Sequence, residues 1–222
     1  MDHQTKLYLI TPPRLDDSAA FLRELEAVLA TGAVTAVQLR LKESDGATAD
    51  IAGMKAIAES FVSIVQAGEA VALINDSVEI TEVSGADGVH LGQSDGSIKE
   101  ARARLGDEAI IGATCHDSRH LAMVAGEQGA DYVAFGAFFD TGTKETDYRP
   151  EPELLTWWQE LMEIPCVAIG GITVDNAAGL VRAGADFLAV SSGIWAYPDG
   201  PAAGAKAFKS VIDANVPACE TT

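Results

Sequence analysis

The stretch VQLRLK sets Gln38, Arg40 and Lys42 at alternate positions between Val37, Leu39 and Leu41. Alternate side chains of an extended chain share a face, so an amide and two cations point one way and three aliphatic groups the other. Arg40 brings a rigid fork of N–H donors and Lys42 a mobile point charge, a pair suited to a diphosphate. A solvated strand end with an ion pair would use the same residues. Asn75 and Asp76 follow the apolar run VALI, and Asp95 follows GVHLGQS. Two carboxylates at neighbouring strand ends suit Mg2+, with water and phosphate oxygens completing the shell. Each Asp also precedes a helical pattern and would serve equally as its cap. No His/Cys cluster accompanies them, so the pattern is not that of a zinc site.

Further polar groups recur at similar places. Thr141, Thr143 and Lys144, in TGTK, combine hydroxyls and a cation in a polar loop able to hold phosphate, although Thr and Gly are ordinary loop residues. The turns IGGIT, with Gly171, and VSSGI, with Ser192 and Gly193, suit phosphate held by backbone amides at a helix start. Thr114 and His116 end another apolar run in ATCHD, where the imidazole suits either acid–base chemistry or a loop contact. His90, inside GVHLG, reads as a satisfied core or rim histidine.

The elements that must position these groups alternate regularly. Strands are expected at 6–11, 36–41, 70–75, 87–91, 109–114, 131–136, 166–171 and 186–191. Helical patterns fall between them at 18–32, 48–67, 77–84, 96–105, 118–128, 151–162 and 174–183, and a last one at 202–214. Continuous apolar strands joined by helices indicate a parallel sheet covered on both faces. Eight such units predict an α/β fold, a (β/α)8 TIM barrel, as a single domain over 1–214 with a flexible tail at 215–222. The polar groups above would then gather at the C-terminal mouth of the barrel. Three Gly-Ala-Asp segments, before the fourth, sixth and eighth strands, fall at the opposite, stability face. An open doubly wound sheet fits less well, since GxGxxG and GxxxxGK[ST] are both missing from the sequence.

Composition narrows the partners. The net charge of -18 argues against nucleic acid and anionic membrane, and makes a local pair of cations more informative. The three cysteines, Cys115, Cys166 and Cys219, form no CxxC pair, and the N-terminus lacks a basic region followed by a long apolar run. A cytoplasmic protein with reduced thiols is expected.

Taken in order, VQLRLK, IND, GADGVHLGQSD, TKETDY, IGGIT followed by Asn176, and SSGI resemble the thiamine-phosphate synthase family across 6–213. That resemblance implies coupling of 4-amino-5-hydroxymethyl-2-methylpyrimidine diphosphate to 4-methyl-5-(2-hydroxyethyl)thiazole phosphate, with release of pyrophosphate. It implies that Gln38 contacts the pyrimidine and that Arg40, Lys42, Asn75 and Lys144 bind diphosphate. Asp76 and Asp95 would hold Mg2+, and Thr114 would be the hydroxyl contact after the fifth strand. Thr141, Thr143, Gly171, Ser192 and Gly193 would surround the thiazole phosphate. A homodimer is also expected. Two positions differ from the family pattern: Ser77 stands where Arg is usual, and Asp140 where Pro is usual. TCHD and FGAFFDTGTK are also similar to the related thiazole tautomerase branch, in which His116 would do acid–base work. A tautomerase-like enzyme and a catalytically weak phosphate-binding paralogue are therefore the alternatives.

Overall fold

The computed structural model describes residues 4–42, 51–141 and 148–216. Its strands are β1 (Lys6–Ile10), β2 (Val34–Leu39), β3 (Val71–Asn75), β4 (Gly88–Leu91), β5 (Ile110–His116), β6 (Tyr132–Gly136), β7 (Cys166–Ile169) and β8 (Phe187–Val190). The helices are α1 (Ser18–Leu29), α2 (Ile51–Ala67), α3 (Val78–Ser84), α4 (Ile98–Leu105), α5 (Arg119–Glu127), α6 (Glu153–Leu161), α7 (Ala177–Arg182), α8 (Ser192–Trp195) and α9 (Pro201–Asn215). All eight strands are parallel to their neighbours, and β1 closes on β8 with Lys6 beside Phe187 and Leu9 beside Val190. The expected (β/α)8 barrel is the observed fold.

Strand alternation divides the apolar residues into two layers. One set, including Tyr8, Ile10, Leu73, Tyr132, Val167 and Ala189, fills the barrel interior. The other packs strands against helices, with Phe61, Phe135, Trp158 and Phe208 fully buried. Gly112 makes room for the inner layer, because a Cβ there would collide with the Tyr132 ring. No helix among the described residues is long and apolar enough to cross a membrane.

Helix starts follow local rules. Asp17, Ser77, Ser97 and Ser118 each accept a hydrogen bond from the backbone N–H three residues on, at 2.9, 3.2, 3.4 and 3.2 Å. The Gly-Ala-Asp segments also have a common role. Asp87, Asp131 and Asp186 accept from the N–H of Ala72, Ile111 and Cys166 respectively, each at 2.7 Å, and so tie the start of one strand to its neighbour. Asp131 is in addition bonded to Arg102 at 2.5 Å. Asp131→Ala orphans the N–H of fully buried Ile111. The expected cost is about 1–3 kcal/mol, read as a fall of several degrees in the thermal midpoint. An unchanged midpoint would remove this role.

Several expected bounds shift. β2 begins at Val34 and ends at Leu39, so Arg40 and Lys42 lie beyond the ladder. The reason is local: the Arg40 N–H donates to the Thr11 hydroxyl at 2.9 Å, and the Lys42 N–H to the Pro13 carbonyl at 2.8 Å. These bonds hold the segment beside residues 11–13 after β1, with a side-chain hydroxyl in place of a regular ladder bond. β5 runs two residues further than expected, through His116, which pairs with Phe135. The expected helix at 174–183 contracts to Ala177–Arg182, because Asn176 accepts from Thr173 N–H and holds that segment as a turn. SGIW, after the capping position Ser191, forms the unexpected short helix α8. α9 continues through Asn215, one residue past the expected end of the domain, and 217–222 lie outside the described residues.

Candidate active site

A cleft of about 1160 Å3, counting its open mouth, occupies the C-terminal end of the barrel. Gln38, Arg40, Lys42, Asn75, Asp76, Asp95, Thr114, His116, Thr141, Gly171 and Ser192 all line it. These positions span seven strand ends and their following loops, from β2 to β8, and barrel closure brings them together. Gly193 lies next to Ser192 in α8 but is not among the lining residues. Its missing side chain lets α8 approach the Ile172 carbonyl, where a Cβ would collide. Thr143 and Lys144, like Cys219, lie outside the described residues.

The two aspartates are released from capping. Ser77 caps α3 and Ser97 caps α4, each one or two residues beyond the Asp that local sequence offered for that task. Asp76 has φ 64°, a left-handed conformation that Asp tolerates better than most residues. Its N–H donates to the His90 carbonyl at 2.8 Å, and its carboxylate meets Lys42 Nζ at 2.9 Å. Asp95 accepts from Gly92 N–H at 3.1 Å. Burial, then the charge of Asp76 and a hydrogen bond with it, raise the Asp95 carboxyl above its ordinary range, against the pull of Lys42 and the Gly92 N–H. Two carboxylates crowded this closely, beside a lysine, are the groups here that could hold a hard cation.

The cleft floor is amide and hydroxyl. Gln38 Nε2 donates to Asn75 Oδ1 at 2.8 Å, with both residues buried. That pairing presents the Gln38 carbonyl as an acceptor and the Asn75 amide N–H as a donor. His90 is the residue that local sequence undervalued. It is buried as expected, yet it also lines the cleft, bonded to Thr114 Oγ1 at 2.8 Å and to Tyr132 Oη at 2.9 Å. Burial pushes its pKa down to about 4; Asp76 opposes this and Arg40 reinforces it. The imidazole is therefore neutral at physiological pH. Burial also lowers the Arg40 guanidinium, and Asp76 counteracts it.

The rim carries the remaining groups. His116, with φ 54°, stacks on Tyr148 at 4.2 Å between ring centroids. Gly171 has φ 62°, and a Cβ there would collide with the Asp140 carbonyl, so the turn after β7 needs glycine. The unusual Asp140 is neutralised by Arg149 at 2.7 Å.

A family model described as thiamine monophosphate synthase matches residues 7–194. The chain belongs to the thiamine monophosphate synthase family. It is 56% identical over 207 residues to the thiamine-phosphate synthase of Rhodospirillum centenum, covering 93% of this chain and 97% of that one. The thiamine-phosphate synthase of Hyphomonas neptunium is 54% identical over 210 residues, 95% of each chain. Among solved structures, the thiamine phosphate pyrophosphorylase of Pyrococcus furiosus superposes with a TM-score of 0.82 at 30% identity, covering 97% of this chain and 99% of that one.

Proposed function

We propose that this protein is a cytoplasmic thiamine-phosphate synthase that joins the pyrimidine diphosphate to the thiazole phosphate and releases pyrophosphate. The observation carrying this reading is the meeting, in one cleft, of the cations Arg40 and Lys42 with the carboxylates Asp76 and Asp95. The Gln38 carbonyl would accept from the pyrimidine amino group, and the Asn75 amide would donate to a diphosphate oxygen. The C–O bond to diphosphate breaks with its electron pair leaving on oxygen. Arg40 and Lys42 then face the charge that grows there, so they stabilise the transition state more than the ground state. The thiazole nitrogen supplies the electron pair of the new C–N bond. Backbone amides near Gly171 and Ser192, with Thr141, would hold the thiazole phosphate.

Magnesium fits the donors present. Among the described residues no group of three or more His, Cys, Asp or Glu forms a metal cluster. Two carboxylates suit an ion that takes its remaining ligands from water and diphosphate. Asp76 and Asp95 would hold Mg2+, which would supply charge neutralisation at the departing diphosphate. With Mg2+ bound to Asp76, Lys42 would turn from that carboxylate to the diphosphate.

The test is a coupling assay with both heterocyclic substrates, with and without Mg2+. One thiamine phosphate and one pyrophosphate per turnover are expected, with loss of product on chelation. No coupling product with Mg2+ present, beside turnover of the carboxylated thiazole alone, would move the protein to the tautomerase branch.

A further inference from the structure

Beneath the cleft, a chain of hydrogen bonds descends through the barrel interior. Tyr8 Oη lies 3.0 Å from Tyr132 Oη, Tyr132 Oη lies 2.9 Å from His90 Nδ1, and His90 Nε2 lies 2.8 Å from Thr114 Oγ1. Tyr8, Tyr132 and His90 are 3%, 6% and 7% exposed, so each proton in the chain needs a protein acceptor. Distances alone do not orient such a chain, because hydroxyls and neutral imidazoles both donate and accept. Its lower end does. Among the described residues, Tyr132 is the one hydrogen-bond partner of the Tyr8 hydroxyl. The cavity below Tyr8 is lined mostly by apolar groups such as Leu73, Ile110, Val167 and Phe187; Lys6 and Thr35 are the added polar residues, and the Thr35 hydroxyl already donates to the Leu7 carbonyl, so the surroundings do not favour water at Tyr8.

Tyr8 must therefore donate to Tyr132, since the reverse would leave a buried O–H unsatisfied. The Tyr132 proton then turns to His90 Nδ1, which is left bare and accepting. The histidine proton sits on Nε2 and is given to Thr114 Oγ1. The Thr114 hydroxyl already accepts from below, so its own proton points to the cleft that it lines.

We propose that His90, oriented by Tyr132 and Tyr8, is a positioning residue that makes the Thr114 hydroxyl a committed donor to an acceptor atom of the substrate. The donor assignment stands on the hydrogen-bond chain; its use in coupling rests on the synthase reading. The acceptor class is an unprotonated ring nitrogen or a diphosphate oxygen. An amine, which would have to donate to Thr114, is disfavoured at that spot. No proton crosses the chain during turnover; the chain only fixes which way each one points.

The test reads the histidine tautomer directly. Nitrogen-15 NMR of the full chain without substrate, with His90 assigned by its loss in His90→Gln, is expected to show Nε2 protonated and Nδ1 bare at neutral pH. Tyr8→Phe keeps that tautomer, because Tyr132 then becomes the buried end and must still donate to His90. Tyr132→Phe removes the donor to Nδ1 and yields a mixture of tautomers. Its kcat falls about 10-fold with KM within about 2-fold, while circular dichroism stays unchanged. A protonated Nδ1 in the parent protein would overturn the proposal. So would Tyr132→Phe with a single Nε2-protonated tautomer and full coupling. A parent protein with the expected tautomer but no coupling product would overturn the synthase reading and leave the donor assignment in place.

Discussion

Lys42→Ala is expected to lower the single-turnover coupling rate by about 100-fold, against less than about 10-fold for His116→Ala. The difference lies in where charge develops. Lys42 sits 2.9 Å from Asp76 in the cleft, within reach of any diphosphate held there. As the C–O bond breaks, negative charge accumulates on that diphosphate, and a preorganised cation lowers the barrier in proportion. His116 stacks on Tyr148 at the rim and has no obligatory proton to move in this chemistry. Lys144→Ala is expected to behave as Lys42→Ala does, from its place in TGTK. A second readout accompanies the rate. Lys42 lowers the Asp95 pKa, so its loss should move the acid limb of the pH–rate profile upward. Circular dichroism on each variant excludes unfolding. Full activity in both lysine variants beside an inactive His116→Ala would reject this division of labour and favour the tautomerase alternative.

Asp95→Asn is expected to abolish cooperative binding of Mg2+ and pyrophosphate, and to lower coupling by about 100-fold, while making the free protein more stable at neutral pH. The sign follows from the direction of the pKa shift. Burial and the neighbouring Asp76 carboxylate raise the Asp95 pKa in the folded protein. The folded state therefore binds this proton more tightly than the unfolded chain does. Below the unfolded pKa both states are protonated, and the favourable difference is fully present. It is lost as pH rises through the unfolded value and then the raised folded one. At neutral pH the charged Asp95 thus opposes folding, and the neutral amide relieves it while still accepting from Gly92. The thermal midpoint should rise slightly at pH 7, with the gain vanishing below the ordinary carboxylate range. Calorimetry with Mg2+ and pyrophosphate measures the lost function separately. A lower midpoint at pH 7, or unchanged Mg2+-dependent pyrophosphate affinity, would contradict the shared carboxylate site.

The eight strands and the order of polar groups along them were legible in the sequence, because both depend on local patterns. Apolar runs such as VALI and YVAF mark strands buried on both faces, and amphipathic stretches mark the helices between. Parallel connection then leaves the strands one way to close, and their C-terminal ends face the same way. What stayed hidden was the choice of partner. Asp76 and Asp95 had equal claims as helix caps and as cation ligands until Ser77 and Ser97 took the caps. The Arg40–Lys42 segment continued the strand by its alternation, but the Thr11 hydroxyl and the Pro13 carbonyl, from the first βα loop, took the bonds that a regular ladder would have made. His90 looked like core because its neighbours are apolar. Its companions Tyr132 and Thr114 lie 42 and 24 residues away, and Tyr8 lies 124 residues from Tyr132. Periodicity decides which face a residue occupies; only closure of the barrel decides which polar atoms share that face, and so which way their protons point.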